Sequence, residues 1–243
     1  MAFETSWYGL DRNGTFPGDP AYARELAPGR ADAPDWVPPE VDVSIRPGWF
    51  HHAAEDAKLK SVGQLLDIYE TSVGRGANLL LNVPPDARGL IPETDASRLR
   101  AFRAALDATF SADLARGAAA TATNVRGGSA RFAANRINDG RADTYWATDD
   151  GVTRASVELT LSRPTACNLV VLQEFIALGQ RIEGWTVDAE VDGVWRTVAS
   201  GTTVGHKRIA RFEPVVARRV RVTVTRARAC PTLSTVSLYA ATR

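Results

Sequence analysis

The stretch Asn78-Leu79-Leu80-Leu81-Asn82-Val83 constrains this chain most. An apolar run this short, with no polar alternation, reads as a strand covered on both faces, as in a parallel sheet. Gly74 and Gly76 lead into it and Pro84-Pro85 end it. Such a strand needs parallel neighbours and covering helices, and the chain ahead of it is too short to supply many. Residues 1–50 are rich in Pro, Gly, Asp and Trp and carry no sustained helical or strand period. From about Ala53 to Ser72, Leu59, Val62, Leu65, Leu66 and Tyr69 mark one face of an amphipathic helix. After the strand, Thr94 or Asp95 can cap a second helix, with Leu99, Phe102, Leu106, Phe110 and Leu114 on one face to about residue 115. Helix, buried strand, loop, helix is the grammar of a β/α repeat.

Gly117 to Thr123 is a link of small residues, after which the period switches to 2. Val157-Glu158-Leu159-Thr160-Leu161 alternates, as does Trp185 to Val191. The latter run meets Asp192-Gly193 and then Val194 to Val198. Asp-Gly between alternating runs is a strong hairpin signal. Val220 to Val224 and Thr235 to Tyr239 add further strands, and no helix interrupts them. The fold class expected is therefore multidomain: β/α units over 1–116, a linker over 117–123, and an all-β sandwich over 124–243.

A formal net charge of +1 on 243 residues gives no general field for nucleic acid. No apolar run approaches the roughly 20 residues that span a bilayer. Met1-Ala2-Phe3-Glu4-Thr5 has neither the basic nor the apolar region of a secretory signal. Cys167 and Cys230 match no metal knuckle or redox motif, and two buried thiols are a commoner outcome than a disulfide.

Two sets of residues carry resemblances. Trp36-Val37-Pro38-Pro39-Glu40-Val41-Asp42-Val43-Ser44-Ile45-Arg46-Pro47-Gly48-Trp49-Phe50, with Ser72-Val73-Gly74-Arg75 and Leu79 to Pro85, resembles the C-terminal part of the catalytic barrel of glycoside hydrolase family 29, the α-L-fucosidases. The subgroup most similar cleaves α-1,3/1,4-linked fucose. Ile137-Asn138-Asp139-Gly140 with Asp143-Thr144-Tyr145-Trp146-Ala147-Thr148 resembles a discoidin, or coagulation-factor-5/8 C-type, domain of the carbohydrate-binding module 32 kind. The first resemblance covers roughly residues 1–115 and implies a partial (β/α)8 TIM-barrel remnant of two to three β/α units; the second covers about 119–240 and implies a jelly-roll, discoidin-like sandwich.

The resemblance implies a retaining glycosidase acting on a fucosylated glycan, with an aspartate nucleophile and a glutamate acid/base. Glu4-Thr5-Ser6-Trp7 looks like a run that follows the acid/base glutamate in this subgroup, so both catalytic residues are expected ahead of Met1 and the chain alone is expected to be inactive. The alternative is a non-catalytic carbohydrate-binding or structural module. Relatives of the full length are expected to be secreted or periplasmic. Among the residues present, Trp49 can wall the C6 methyl of fucose, Glu40 can bond sugar hydroxyls, and Trp36 can meet the aglycone; each can equally be structural. Arg46 can touch substrate or pair with Asp42 or Glu40. His51 and His52 point to opposite faces and lack a third ligand, which argues against a metal. Asn78 and Asn82 suit backbone groups at the strand ends, and Gly74-Arg75-Gly76 lacks the Lys-Ser/Thr of a phosphate loop.

No cofactor is required by the implied reaction. Modules of the second kind often hold a structural calcium, for which Asp143 and Thr148 match contributing positions, but Thr235 stands where a glutamate is usual. Tyr145 and Trp146 read as core, Trp185 and Trp195 share a hairpin on which one can face outward, and His206, Lys207 and Arg208 form a polar cluster that can bind sugar or pack on the barrel.

Overall fold

The computed structural model of the chain describes residues 40–241. Trp36 and Glu4 to Trp7 lie outside the described residues. Strand β1 (Glu40–Ser44) pairs in parallel with β2 (Asn78–Asn82), Glu40 opposite Asn78 and Ser44 opposite Asn82. Between them runs helix α1 (Val62–Thr71), so the three elements form one βαβ unit. Helix α2 (Glu93–Phe110) follows.

Helix α1 starts later than the leucine spacing predicts. Ala53–Lys58 is a separate 3-10 turn, and Ser61 then opens α1 with a capping box. Its hydroxyl accepts from the Gln64 amide at 3.1 Å, and the Gln64 side chain accepts from the Ser61 amide at 2.8 Å. Gly76, at φ 78°, takes the left-handed conformation needed to turn from α1 into β2. Leu65 and Leu66 of α1 meet Ile45 and Phe102 in a small core, with Leu81 and Val83 against it.

The cover expected on both faces of β2 is present on one. Val41 is buried, and the exposed face carries Glu40 and Asp42 across from Asn78 and Leu80, the last 49% exposed. Among the described residues β1 is the only strand paired with β2. Helix α2 also departs from expectation. Its N-cap is Pro92 rather than Thr94 or Asp95, and it ends at Phe110. Asp95 is fully buried instead.

The second part is an antiparallel sheet in the order β4-β9-β5-β8-β6-β7, with β3 added to β5. Its strands are β3 (Ala119–Ala122), β4 (Trp146–Ala147), β5 (Ala155–Glu174), β6 (Ile182–Val191), β7 (Val194–Gly201), β8 (Arg208–Ala227) and β9 (Thr232–Tyr239). Residues 117–123, read as a linker, therefore hold a strand: Ala120 and Ala122 give small side chains to the main core. The short strands expected at the centre are instead two long ones. β5 and β8 each run 20 residues, with register shifts in their pairing between Thr160 and Thr165 and between Cys167 and Leu169.

Those shifts fold the sheet over on itself. Val157, Leu159 and Leu161 enter the core from the first half of β5, whereas Val170 and Leu172 enter it from the second half. A one-residue slip swaps the faces of a strand, so the inward set changes from odd to even where the irregularities lie. Both halves thus fill one core around Trp146 and Trp185, the packing of a sandwich.

The opposite face of the second half docks on the βαβ unit. Leu169, Val171, Ile209 and Ala241 form a buried cluster with Tyr69 of α1 and Phe110 of α2. Phe110 stands edge-on to Tyr239 at 5.1 Å, and Arg211 of β8 pairs with Glu70 of α1. Gly74 lies so close to β8 that a Cβ there would sit 2.8 Å from that of Ile209. No helix among the described residues is long and apolar enough to cross a membrane.

Candidate functional site

Both strands of the βαβ unit end at one edge, and the loop Ile45–Phe50 crosses it. The Ser44 hydroxyl donates to the Gly48 carbonyl at 2.7 Å. Asn82, at the end of β2, donates from Nδ2 to Ser44 Oγ at 3.1 Å and to the Trp49 carbonyl at 3.0 Å. Two side chains directly opposite in the strand register therefore fix the backbone that presents Trp49. That indole is 52% exposed, and Phe50 beside it is exposed as well.

Arg46 lies beneath this loop. Its side chain is fully buried, and Nε and Nη2 form a two-pronged pair with Asp95 at 2.9 and 2.6 Å. Asp56 accepts a further bond at 2.8 Å, and the His52 carbonyl another at 3.3 Å. The bonds it donates to Asp95 raise the guanidinium pKa further, against the effect of burial. The partners are thus Asp95 and Asp56 rather than Asp42 or Glu40, because α2 brings Asp95 under the strand end. With no exposed side-chain surface, Arg46 holds the loop and does not reach a ligand.

Glu40 and Trp49 are not brought together. Glu40 starts β1, where it accepts from Asn78 Nδ2 at 3.1 Å. Four residues of strand, on the order of 13 Å, separate it from the edge that carries Trp49. His51 Nε2 lies 3.6 Å from Asp56, and His52 contributes its carbonyl to Arg46. Among the described residues no group of three or more His, Cys, Asp or Glu is placed to hold a metal.

The two positions named for calcium, Asp143 and Thr148, each have protein partners in the sandwich. Asp143 is exposed and gives both oxygens to Arg141, at 3.1 and 2.8 Å, which hold its carboxyl below the usual range. Thr148 is buried, and its hydroxyl donates to the Val152 carbonyl at 2.7 Å.

Trp146 and Trp185 are core, their indoles donating to the Asn124 and Thr203 carbonyls at 2.9 and 3.2 Å. Tyr145 is half-buried and stacks on Phe175 at 4.3 Å. Trp195 faces outward, but Arg221 lies over its ring at 3.9 Å and Arg219 at 5.1 Å. Both arginines are held by Glu158, so that indole is covered rather than offered to a sugar. Cys167 and Cys230 are free, buried thiols.

Two structural carboxylates escape a sequence reading. Asp95 passes for a helix cap. Glu174 follows an apolar run and is almost wholly buried, accepting from the Arg181, Ile182 and Gly205 amides at 2.7, 3.0 and 2.7 Å. It ties the end of β5 to the loops before β6 and β8. Burial pushes its carboxyl up to about 7, against the pull of those amides.

The chain thus has two parts, a βαβ segment with an exposed aromatic residue at its strand ends and an antiparallel sandwich on which its helices pack. The sequence model of the alpha-L-fucosidase family matches residues 22–108, and that of the F5/8 type C domain matches residues 119–235. The first part is thus similar to the glycoside hydrolase family 29 α-L-fucosidases, and the second to the F5/8 type C domain. Alpha-L-fucosidase 1 of Arabidopsis thaliana is 39% identical over 245 residues, which take in 98% of this chain and 47% of that protein. The crystal structure of SpGH29 superposes with a TM-score of 0.87 at 38% identity, over 98% of this chain and 51% of that one. A Ruminococcus gnavus GH29 fucosidase solved in complex with fucose gives a TM-score of 0.87 at 30% identity, over 100% of this chain and 50% of its own. The chain thus spans about half the length of these relatives.

Proposed function

We propose that the βαβ unit forms late β/α units of a (β/α)8 catalytic barrel, and that the complete protein is a retaining α-L-fucosidase acting on fucosylated glycans, with α-1,3/1,4-linked fucose as its substrate class. The observation that carries this reading is the Trp49 loop, pinned by Ser44 and Asn82 at the C-terminal ends of two parallel strands. Barrel enzymes build their sites at that end. An exposed indole there gives a flat apolar wall for the C6 methyl of fucose, while the remaining sugar hydroxyls are left for polar groups.

Retaining hydrolysis needs two carboxylates about 5–5.5 Å apart and no metal. In this reading the nucleophile and the acid/base come from the barrel half that lies outside this chain. The chain supplies the wall of the pocket, and the sandwich supports it through Tyr69, Phe110 and Ile209. Glu40, at the far end of β1, acts in the strand pair through Asn78 rather than on the sugar.

The test uses this chain joined to the missing barrel half of a close relative, assayed on p-nitrophenyl α-L-fucoside. Trp49→Ala should lower kcat/KM by about tenfold or more, mainly through KM, whereas Glu40→Gln should change it by less than about threefold. Loss of activity in Glu40→Gln with none in Trp49→Ala would reverse the assignment of the two strand ends.

A further inference from the structure

The junction between α1, α2 and the sandwich encloses a cavity of about 430 Å³. Lys207 lines it from the loop before β8, and it is the only lysine after Lys60. Its ammonium is partly buried, with no ion pair or hydrogen bond among the described residues, and burial alone holds its pKa below the usual lysine range. A desolvated cation without a counter-charge is costly to keep. The two other cations on the cavity wall are already matched, Arg116 facing Asp113 at 4.0 Å and Arg141 bound to Asp143 at 2.8 Å. One positive charge is left over, on Lys207.

The rest of the wall suits a polyol. Tyr69 and Tyr239 are half-buried rings that line it, together with the hydroxyl-bearing residues Ser234 and Thr235. Aromatic edges, hydroxyls and one uncompensated ammonium in a space of this size fit a single sugar unit that carries one negative charge.

We propose that this cavity binds an acidic saccharide unit, its anionic group on Lys207 Nζ and its ring against Tyr69 and Tyr239. The site is separate from the Trp49 edge and is formed jointly by the two parts of the chain, so it stands or falls independently of the hydrolytic reading. It would let the module hold charged glycans while the barrel acts elsewhere on them.

The full chain should be titrated calorimetrically with glucuronic acid and N-acetylneuraminic acid, with galactose and L-fucose as neutral probes. The result expected is saturable binding of at least one acid and none of the neutral sugars at equal concentration. That binding should weaken as salt is raised to about 0.15 M, and weaken by about tenfold or more in Lys207→Met, with Lys207→Arg retaining most of it. The melting temperature of ligand-free Lys207→Met should equal or exceed that of the wild type, which shows that the variant folds and that the unpaired amine is not structural. Absence of binding by both acids, binding unchanged in Lys207→Met, or equal binding of galactose would each overturn the proposal. A lower melting temperature for Lys207→Met would assign the lysine to the fold instead.

Discussion

Arg46 and Asp95 show how a single residue can be read correctly for chemistry and wrongly for partner. An arginine between a strand and a loop needs a carboxylate, and the nearest in sequence are Glu40 and Asp42. The structure supplies Asp95 instead, 49 positions away, at 2.6 Å in a fully buried pair. Removing one member of such a pair leaves the other as an uncompensated buried charge. Asp95→Ala should therefore destabilise the βαβ unit by about 3–5 kcal/mol in urea melts, and a loss below about 1 kcal/mol would contradict the role given to the pair. Glu174 yields a prediction with a defined sign. Its folded carboxyl titrates near 7, whereas the unfolded chain holds a glutamate near 4.3. Between those values the unfolded state binds fewer protons, so stability is full below about pH 4.3 and falls as pH rises toward 7. The urea midpoint of the wild type should decline over that window relative to Glu174→Gln, which lacks the titration. A difference that is flat or that rises with pH would show the three amides outweighing burial.

Among the elements, β2 and the hairpin of β6 and β7 were legible in the sequence, because each rests on local pattern. The Asn-Leu-Leu-Leu-Asn run forms a strand, and Asp192-Gly193 does turn a hairpin, with Asp192 at φ 52°. Less local features were not legible. Leucine spacing carries the first helix back to residue 53, yet the capping pair Ser61 and Gln64 fixes its start near 62. Alanines at 119–122 lack the bulk that marks a strand, and only pairing with β5 makes them one. The switch of the inward set within β5 depends on irregular pairing with β8, which no single segment encodes. Of the candidate site, the exposure of Trp49 was foreseeable but its separation from Glu40 was not, since that distance depends on where β1 begins. The contact between Gly74 and Ile209 tests how tightly these elements are joined. Gly74→Ala should cost about 1–3 kcal/mol through a Cβ placed 2.8 Å from that of Ile209. Combining it with Ile209→Ala should recover part of that loss, and strict additivity in the double-mutant cycle would mean the two do not meet.

For the molecule as a whole, the sandwich is more than an appendage beside the barrel segment. The two parts share a buried cluster, an ion pair between Glu70 and Arg211, the Leu114 amide donating to the Leu238 carbonyl, and the Leu238 amide donating to the Asp113 carboxylate. The apolar faces of α1 and α2 that an incomplete barrel would expose are thus partly covered by β5, β8 and the chain after β9. Leu80 and Trp49 lie on the other side, where the account places the rest of the barrel and the sugar. The central claim is that this chain holds the pocket wall and support of a fucosidase but not its catalytic carboxylates. The most direct measurement is the release of p-nitrophenol from p-nitrophenyl α-L-fucoside by the purified polypeptide alone. The account predicts no turnover above the uncatalysed rate, and sustained turnover by the isolated chain would contradict it.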